Sequence, residues 1–297
     1  MSEVATLVLT PSTHDLGGFK VRRTLPSKAR TMVGPFIFVD QFGPAQLDVG
    51  QGMDVRPHPH INLSTVTYLF GGAIDHRDSL GTVATIAPGA VNLMTAGRGI
   101  VHSERSPASE RQGGAVMSGM QTWLALPDGR EEIDAAFEHV PAADLPIVQD
   151  AGVNARVIMG SLWGRTAPTT CHAETIYADI QLEPGASIPI DVSTEERAVV
   201  VALGDASLDG EPLDLHSLYL LKPGVPMTLR TQAGARVMLL GGEAFVTPRH
   251  VWWNFVSSSR ERINQAKHDW KEGRFAPVPE EAEFIPLPEV PLTVSYP

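Results

Sequence analysis

The 297 residues carry 34 Asp and Glu against 23 Lys and Arg, a net charge of −11, which disfavours non-specific nucleic-acid binding because that binding relies on basic side chains neutralising phosphates. Hydrophobic residues make up 43% of the chain, yet no apolar run approaches the roughly 18 residues of a membrane-spanning helix. The single cysteine, Cys171, cannot close an internal disulfide, fits a reducing compartment, and is expected to be a small packed residue rather than a catalytic thiol. At roughly 150 residues per domain the length predicts two domains, and 27 Gly and 24 Pro punctuating short apolar and β-branched runs predict an all-β chain.

The start of the chain, MSEVATLVLTPST, lacks a basic residue leading into a long apolar core, so a cytoplasmic location is expected. Arg22, Arg23, Lys28 and Arg30 form a small basic group that reads as a solvated face. His58-Pro59-His60 comes next. Residues two apart on a strand project from one face about 7 Å apart, so this spacing places both imidazoles on the same side. The run Thr65 to Phe70 predicts a strand ending in Gly71-Gly72, and His76, inside Asp75-His-Arg-Asp78, reads as part of an exposed hairpin turn. A glycine-punctuated turn, Thr95-Ala-Gly97-Arg-Gly99, feeds a second i, i+2 pair, His102-Ser103-Glu104.

If the two strands lie side by side, His58, His60, His102 and Glu104 converge. Three imidazoles and a carboxylate suit Fe(II), Mn(II), Ni(II), Cu(II) or Zn(II) and fit poorly the all-oxygen shells of Ca(II) and Mg(II).

The charged stretch Asp128 to Asp134 is a candidate connection, dividing the chain into residues 1–130 and 131–297. A second strand series follows, at Ile176 to Leu182, Ala198 to Leu203, Leu215 to Leu221 and Ala235 to Leu240. Matching Gly71 with Gly204 and Pro88 with Pro223 makes the halves degenerate copies, with Asp191, Ser193, Val237 and Leu239 at the positions of the four ligands. The second half therefore binds no metal in this reading. A helix is expected at about 258–272, opened by a capping box of Ser258 and Glu261. Trp252, Trp253 and Phe255 are expected to anchor it against a barrel, and the Pro-rich tail after Ala276 to run extended. Gly97-Arg-Gly99 lacks the third glycine and the βαβ setting of a dinucleotide fingerprint, and neither a nucleophile elbow nor a Walker loop occurs.

The strings RPHPHINLSTVTYLFGG (56–72), HRDSLG (76–81), MTAGRGIVHSERS (94–106) and WWNFVSSSRERINQAKHDWKEGRF (252–275), with the FIPLP tail, closely resemble the pirin family of the cupin superfamily. The resemblance implies a bicupin: two antiparallel β-barrel or jelly-roll domains, the first holding a metal, plus the C-terminal helix. By position it assigns His58, His60, His102 and Glu104 as metal ligands, the set that strand spacing selects. Many cupins place a ligand Glu four residues after the second His, where this chain has Ser64.

The implied activity is quercetin 2,3-dioxygenase, the oxygen-dependent ring opening of a flavonol, with Glu104 also acting as the catalytic base for the 3-hydroxyl proton. Fe(II) is the first candidate metal, with Mn, Ni, Co, Cu and Zn as alternatives. The expected partners are a small aromatic substrate and dioxygen. The alternative implied by the family is a non-enzymatic iron-binding regulator acting through protein partners, and the closed barrels are compatible with a monomer.

Overall fold

Strands form where β-branched and apolar runs lie between glycine turns, and the chain folds as an all-β bicupin. The computed structural model describes residues 2–15, 20–114, 116–289 and 294–295. Among them no helix is long and apolar enough to cross a membrane.

The chain forms two compact units, each assembled from separated segments. One comprises His14–Val21, Phe42–His139 and Val246–Pro297; the other comprises Met1–Thr13, Arg22–Gln41 and Val140–Phe245. A single cut near residue 130 therefore does not describe the division. The terminal helix shares a unit with both histidine motifs, while strand Ala5–Leu9 belongs with the second half, where it pairs with Leu218–Leu221 through Leu7↔Leu220 and Leu9↔Leu218. The stretch Asp128 to Asp134 is not a free connection either. Asp128 pairs with the fully buried Arg249 at 2.7 Å, Glu131 accepts from the Ser258 N–H at 2.7 Å, and the Asn62 side chain donates to the Glu131 carbonyl at 2.8 Å.

The unit with the histidine motifs contains a four-stranded sheet ordered Asp54–His60, Ile100–Arg105, Ile74–Asp78, Val83–Ile86. It also contains Leu63–Gly71, flanked by Val91–Thr95 on one side and Val116–Ala125 on the other. Phe42, Met53, Leu69, Ile74, Ile86 and Met117 fill one cluster of its core. The turn into the Glu104 strand needs a glycine at Gly97. Its φ is +50°, and a Cβ there would lie 2.0 Å from the Ile133 carbonyl oxygen.

The other unit repeats this plan with Ser187–Ile190, Met227–Arg230, Ala206–Leu208 and Glu211–Leu213 as its four-stranded sheet. Sheet order makes Ser187–Ile190 the counterpart of the His58 strand and Met227–Arg230 the counterpart of the His102 strand. The inward positions are then Ile188, Ile190, Met227 and Leu229, all buried, with Ile188↔Leu229 and Ile190↔Met227 in register. This corrects the expected counterparts Asp191, Ser193, Val237 and Leu239. Asp191 and Ser193 fall in the loop after the strand, and Val237 and Leu239 lie on strand Ala235–Gly242 of the other sheet. Unequal loops shift a count made from glycine landmarks. An apolar core occupies the place of the ligands.

Also in this unit, Arg23 forms a bidentate pair with Asp40, at 2.8 and 2.7 Å, and Arg30 is paired with Glu196, so neither stands as open positive surface. Cys171, expected to be packed, is exposed.

The helix spans Arg260–Lys271, and its N-cap is Ser259, whose hydroxyl accepts from the Arg262 N–H at 3.2 Å. Ser258, the expected cap, is instead held by Glu131 through its backbone N–H and its hydroxyl. The aromatic residues do anchor the helix. Ile263 and Ala266 pack with Trp252, Phe255 and Ile61, the residue next to His60.

Candidate metal centre

The two histidine strands pair antiparallel, with His102 directly opposite His58 and Ile100 opposite His60. Antiparallel pairing plus the two-residue period therefore brings three imidazoles to one point, and their ligand atoms lie within 4.8 Å of one another. Ring centroids are 5.0 Å apart for His58 and His60, 4.4 Å for His58 and His102, and 5.0 Å for His60 and His102. All three rings are buried, and the Trp123 ring meets His60 edge-on at 4.9 Å.

Glu104, the fourth named position, lies outside that cluster. A register shift between His102 and Glu104 sets Glu104 opposite Val55. Its carboxylate is buried, accepts from the Gln121 amide at 2.9 Å on each oxygen, and takes a longer bond of 3.4 Å from the Thr67 hydroxyl. Ser64, which replaces the ligand Glu of many cupins, pairs with Thr95 across the sheet at 3.1 Å.

Burial pushes His60 and His102 well below the ordinary histidine range and lowers His58 as well, the last partly offset by its bond to the Arg56 carbonyl and by the Glu104 charge. The rings are neutral at pH 7, as metal ligands must be. His58 Nδ1 lies 2.9 Å from the Arg56 carbonyl oxygen and His60 Nδ1 3.1 Å from that of Asn254. A carbonyl only accepts, so both protons sit on Nδ1 and both Nε2 lone pairs face the cluster. Lone pairs converging at this spacing repel one another and are stabilised by a cation. The donor set thus fits a divalent transition metal.

Depressed histidine pKa values have a consequence for the metal-free protein. At pH 7 the rings are neutral in the folded chain and mostly neutral in the unfolded one. Below about 6.5 the unfolded chain takes up protons that the buried rings refuse, so stability falls as pH drops toward the folded-state values. The expected slope is up to about 1.4 kcal/mol per pH unit per ring, or about 4 for three. Urea titrations of metal-free protein between pH 7.5 and 5 measure it, and His58→Ala/His60→Ala/His102→Ala protein will show a shallower slope.

The structure also recruits residues that sequence patterning missed. His76 is buried on Ile74–Asp78, stacks on Phe137 at 4.5 Å, and reaches both His102 and Asp78. Burial alone would raise the Asp78 carboxyl, but hydrogen bonds from His76 and Thr82 outweigh it and hold Asp78 below the usual range. Gln121, Thr67 and Trp123 come from two strands outside the four-stranded sheet, and Asn254 comes from the hairpin before the helix. His139, which had no evident partner in sequence, lies 2.6 Å from the Asn92 side chain.

An apolar groove of about 580 Å³, lined by Pro57, Val101, Trp270, Phe275, Phe284 and Leu287, runs along the same two strands. Pro57 and Val101 alternate with His58 and His102, so the groove lies on the opposite face from the histidines.

The Pirin family matches residues 18–124, and the Pirin C-terminal cupin domain matches residues 177–276. A pirin-like protein of Caulobacter vibrioides is 47% identical over 95% of this chain and 99% of its own length. A Pseudomonas aeruginosa protein, named as a proposed quercetin 2,3-dioxygenase, is 40% identical over 86% of this chain and 80% of its own length. The crystal structure of a quercetin 2,3-dioxygenase from Acinetobacter baumannii superposes with a TM-score of 0.90 at 33% identity, covering 97% of this chain and 96% of that one. With both domains matched and close relatives aligned almost end to end, the chain belongs to the pirin family.

Proposed function

We propose that this protein is a metal-dependent dioxygenase that opens the ring of a flavonol or a related enolisable aromatic, in the manner of quercetin 2,3-dioxygenase. The observation that carries the reading is the convergence of three buried, neutral imidazoles, with a buried carboxylate two residues beyond His102 on the same strand. His58, His60 and His102 would hold one divalent transition metal, with Glu104 as fourth ligand and Fe(II) as the first candidate. Bound there, the metal would supply the Lewis acidity and redox capacity that a reaction with dioxygen needs. The A. baumannii and P. aeruginosa relatives support the substrate class.

The chain's own contribution centres on Glu104. The Gln121 side-chain amide donates to both of its oxygens and fixes the orientation of the carboxylate. In this reading Glu104 is the base for the 3-hydroxyl proton of a flavonol, and a general base contributes about 10²–10⁴ in rate. Trp123, against His60, closes one side of the cluster to water.

Glu104→Gln tests the role. Assayed at saturating metal, which fills the site despite the lost ligand, quercetin turnover reduced by about 10²-fold or more is the expected result. Full turnover with retained metal would contradict the assignment of Glu104 as base.

A further inference from the structure

We infer that Asp78 and His76 form a positioning relay that decides which nitrogen of His102 is free to bind a metal. The inference rests on the metal-site reading above. It concerns HRDSLG, a motif to which the proposed reaction assigns no task.

His58 and His60 have their Nδ1 protons fixed by backbone carbonyls, whereas His102 Nδ1 meets His76 and, among the described residues, no carbonyl. It faces two competing partners. Its Nε2 lies 3.1 Å from His60 Nε2, and its Nδ1 lies 3.4 Å from His76 Nδ1. Because His60 Nε2 presents a lone pair, a His102 carrying its proton on Nε2 would donate to His60. That tautomer would cap two ligand atoms with one hydrogen bond and block the site. A His102 carrying its proton on Nδ1 would donate to His76 instead, leaving three Nε2 lone pairs convergent.

Asp78 tips the choice. It is fully buried, and its Oδ1 accepts from the backbone N–H groups of Leu80 and Thr82, at 2.9 and 3.0 Å, in the turn that closes the HRDSLG segment. Its Oδ2 lies 3.1 Å from His76 Nε2. A carboxylate only accepts, so the His76 proton belongs on Nε2, and His76 Nδ1 is left as an acceptor aimed at His102. Phe137, stacked on the His76 ring, holds its plane. Every bond in the chain Asp78, His76, His102 then runs in one direction, and it ends on a metal-facing lone pair. Carboxylate–histidine pairs behind a ligand are worth about 10–100-fold in metal affinity.

Two variants with opposite chemistry test the relay. Asp78→Asn keeps size and the Oδ1 contacts but turns an N–H₂ toward His76. His76 then becomes an Nδ1–H donor, which forces the proton of His102 onto Nε2. His76→Leu removes the acceptor, whereas His76→Asn restores an acceptor oxygen near the Nδ1 position.

The readouts are the imidazole ¹⁵N shifts of His102 in metal-free protein and the Ni(II) and Fe(II) affinities measured by chelator competition, with thermal melting of each variant to confirm folding. The relay predicts an Nδ1–H His102 in the wild type. In Asp78→Asn and His76→Leu it predicts a shift to Nε2–H and a loss of about 10–100-fold in affinity, with most of the affinity recovered in His76→Asn. An Nε2–H His102 in the wild type would overturn the relay, as would folded Asp78→Asn protein with unchanged shifts and affinity. If the wild type holds no metal yet shows the predicted tautomers, the relay stands and the metal-site reading falls.

Discussion

His102→Ala protein is expected to bind transition metal about 10²–10³-fold more weakly than the wild type. Structural zinc sites hold their ion by about 10–16 kcal/mol, which spread over four ligands is about 2.5–4 kcal/mol each. His102 stands opposite His58 and within 5.0 Å, ring to ring, of His60, so its removal opens the middle of the cluster. His58→Ala and His60→Ala should fall in the same range. Isothermal titration with Ni(II) or chelator competition measures the effect. Ser64→Ala is the matched control, since Ser64 bonds Thr95 and does not face the imidazoles, and it should bind as the wild type does. Wild-type affinity in all three histidine variants would mean that the metal sits elsewhere.

The second large effect is structural. Phe255→Ala is expected to cost about 3–5 kcal/mol, the usual price of removing a fully buried aromatic ring. Phe255 has no exposed surface, stacks between Trp252 at 6.1 Å and Phe275 at 6.2 Å, and packs with Ile61, Ile263 and Ala266. The loss should extend beyond stability. Asn254, whose carbonyl orients His60, sits in the two-residue turn between Trp252 and Phe255. Loosening that hairpin frees the His60 ring, so metal affinity should fall together with the denaturation midpoint. Lys271→Ala, at the exposed end of the helix, should change neither. A Phe255→Ala midpoint within about 1 kcal/mol of wild type would show that the helix and hairpin are not part of the cooperative core.

The fold was legible because strand physics is local: β-branched runs between glycine turns read directly as the observed strands, and the period of two brings His58 and His60 to one face. The convergence of His102 with them followed from the same rule once the strands were paired. What local patterns could not state was which strand lies on the far side of His102. The pairing His102↔Asp78 and Glu104↔His76 makes His76 an inward residue, although in sequence it sits in a polar stretch after Gly71-Gly72 that resembles a turn. The bulge after His102, which sets Glu104 apart from the cluster, is likewise invisible to a count of residues. Asn254 is 194 positions from His60, and its role depends on a terminal segment folding with the unit that holds the histidine motifs. The same exchange of terminal segments defeated a division at residue 130. Counting from glycine landmarks failed in the second half because the loop from Ile190 to Glu196 is longer than that from His60 to Leu63.

Oxygen uptake is the most direct test of the central claim. Protein reconstituted separately with Fe(II), Mn(II), Ni(II), Co(II) and Cu(II) would be supplied with quercetin in an oxygen-electrode cell, alongside His58→Ala protein treated identically. Uptake that depends on one or more of these metals, matches flavonol consumption mole for mole and disappears in His58→Ala is the result the account predicts. Wild-type protein that holds metal at the three histidines and consumes no oxygen with any of the five ions would contradict it.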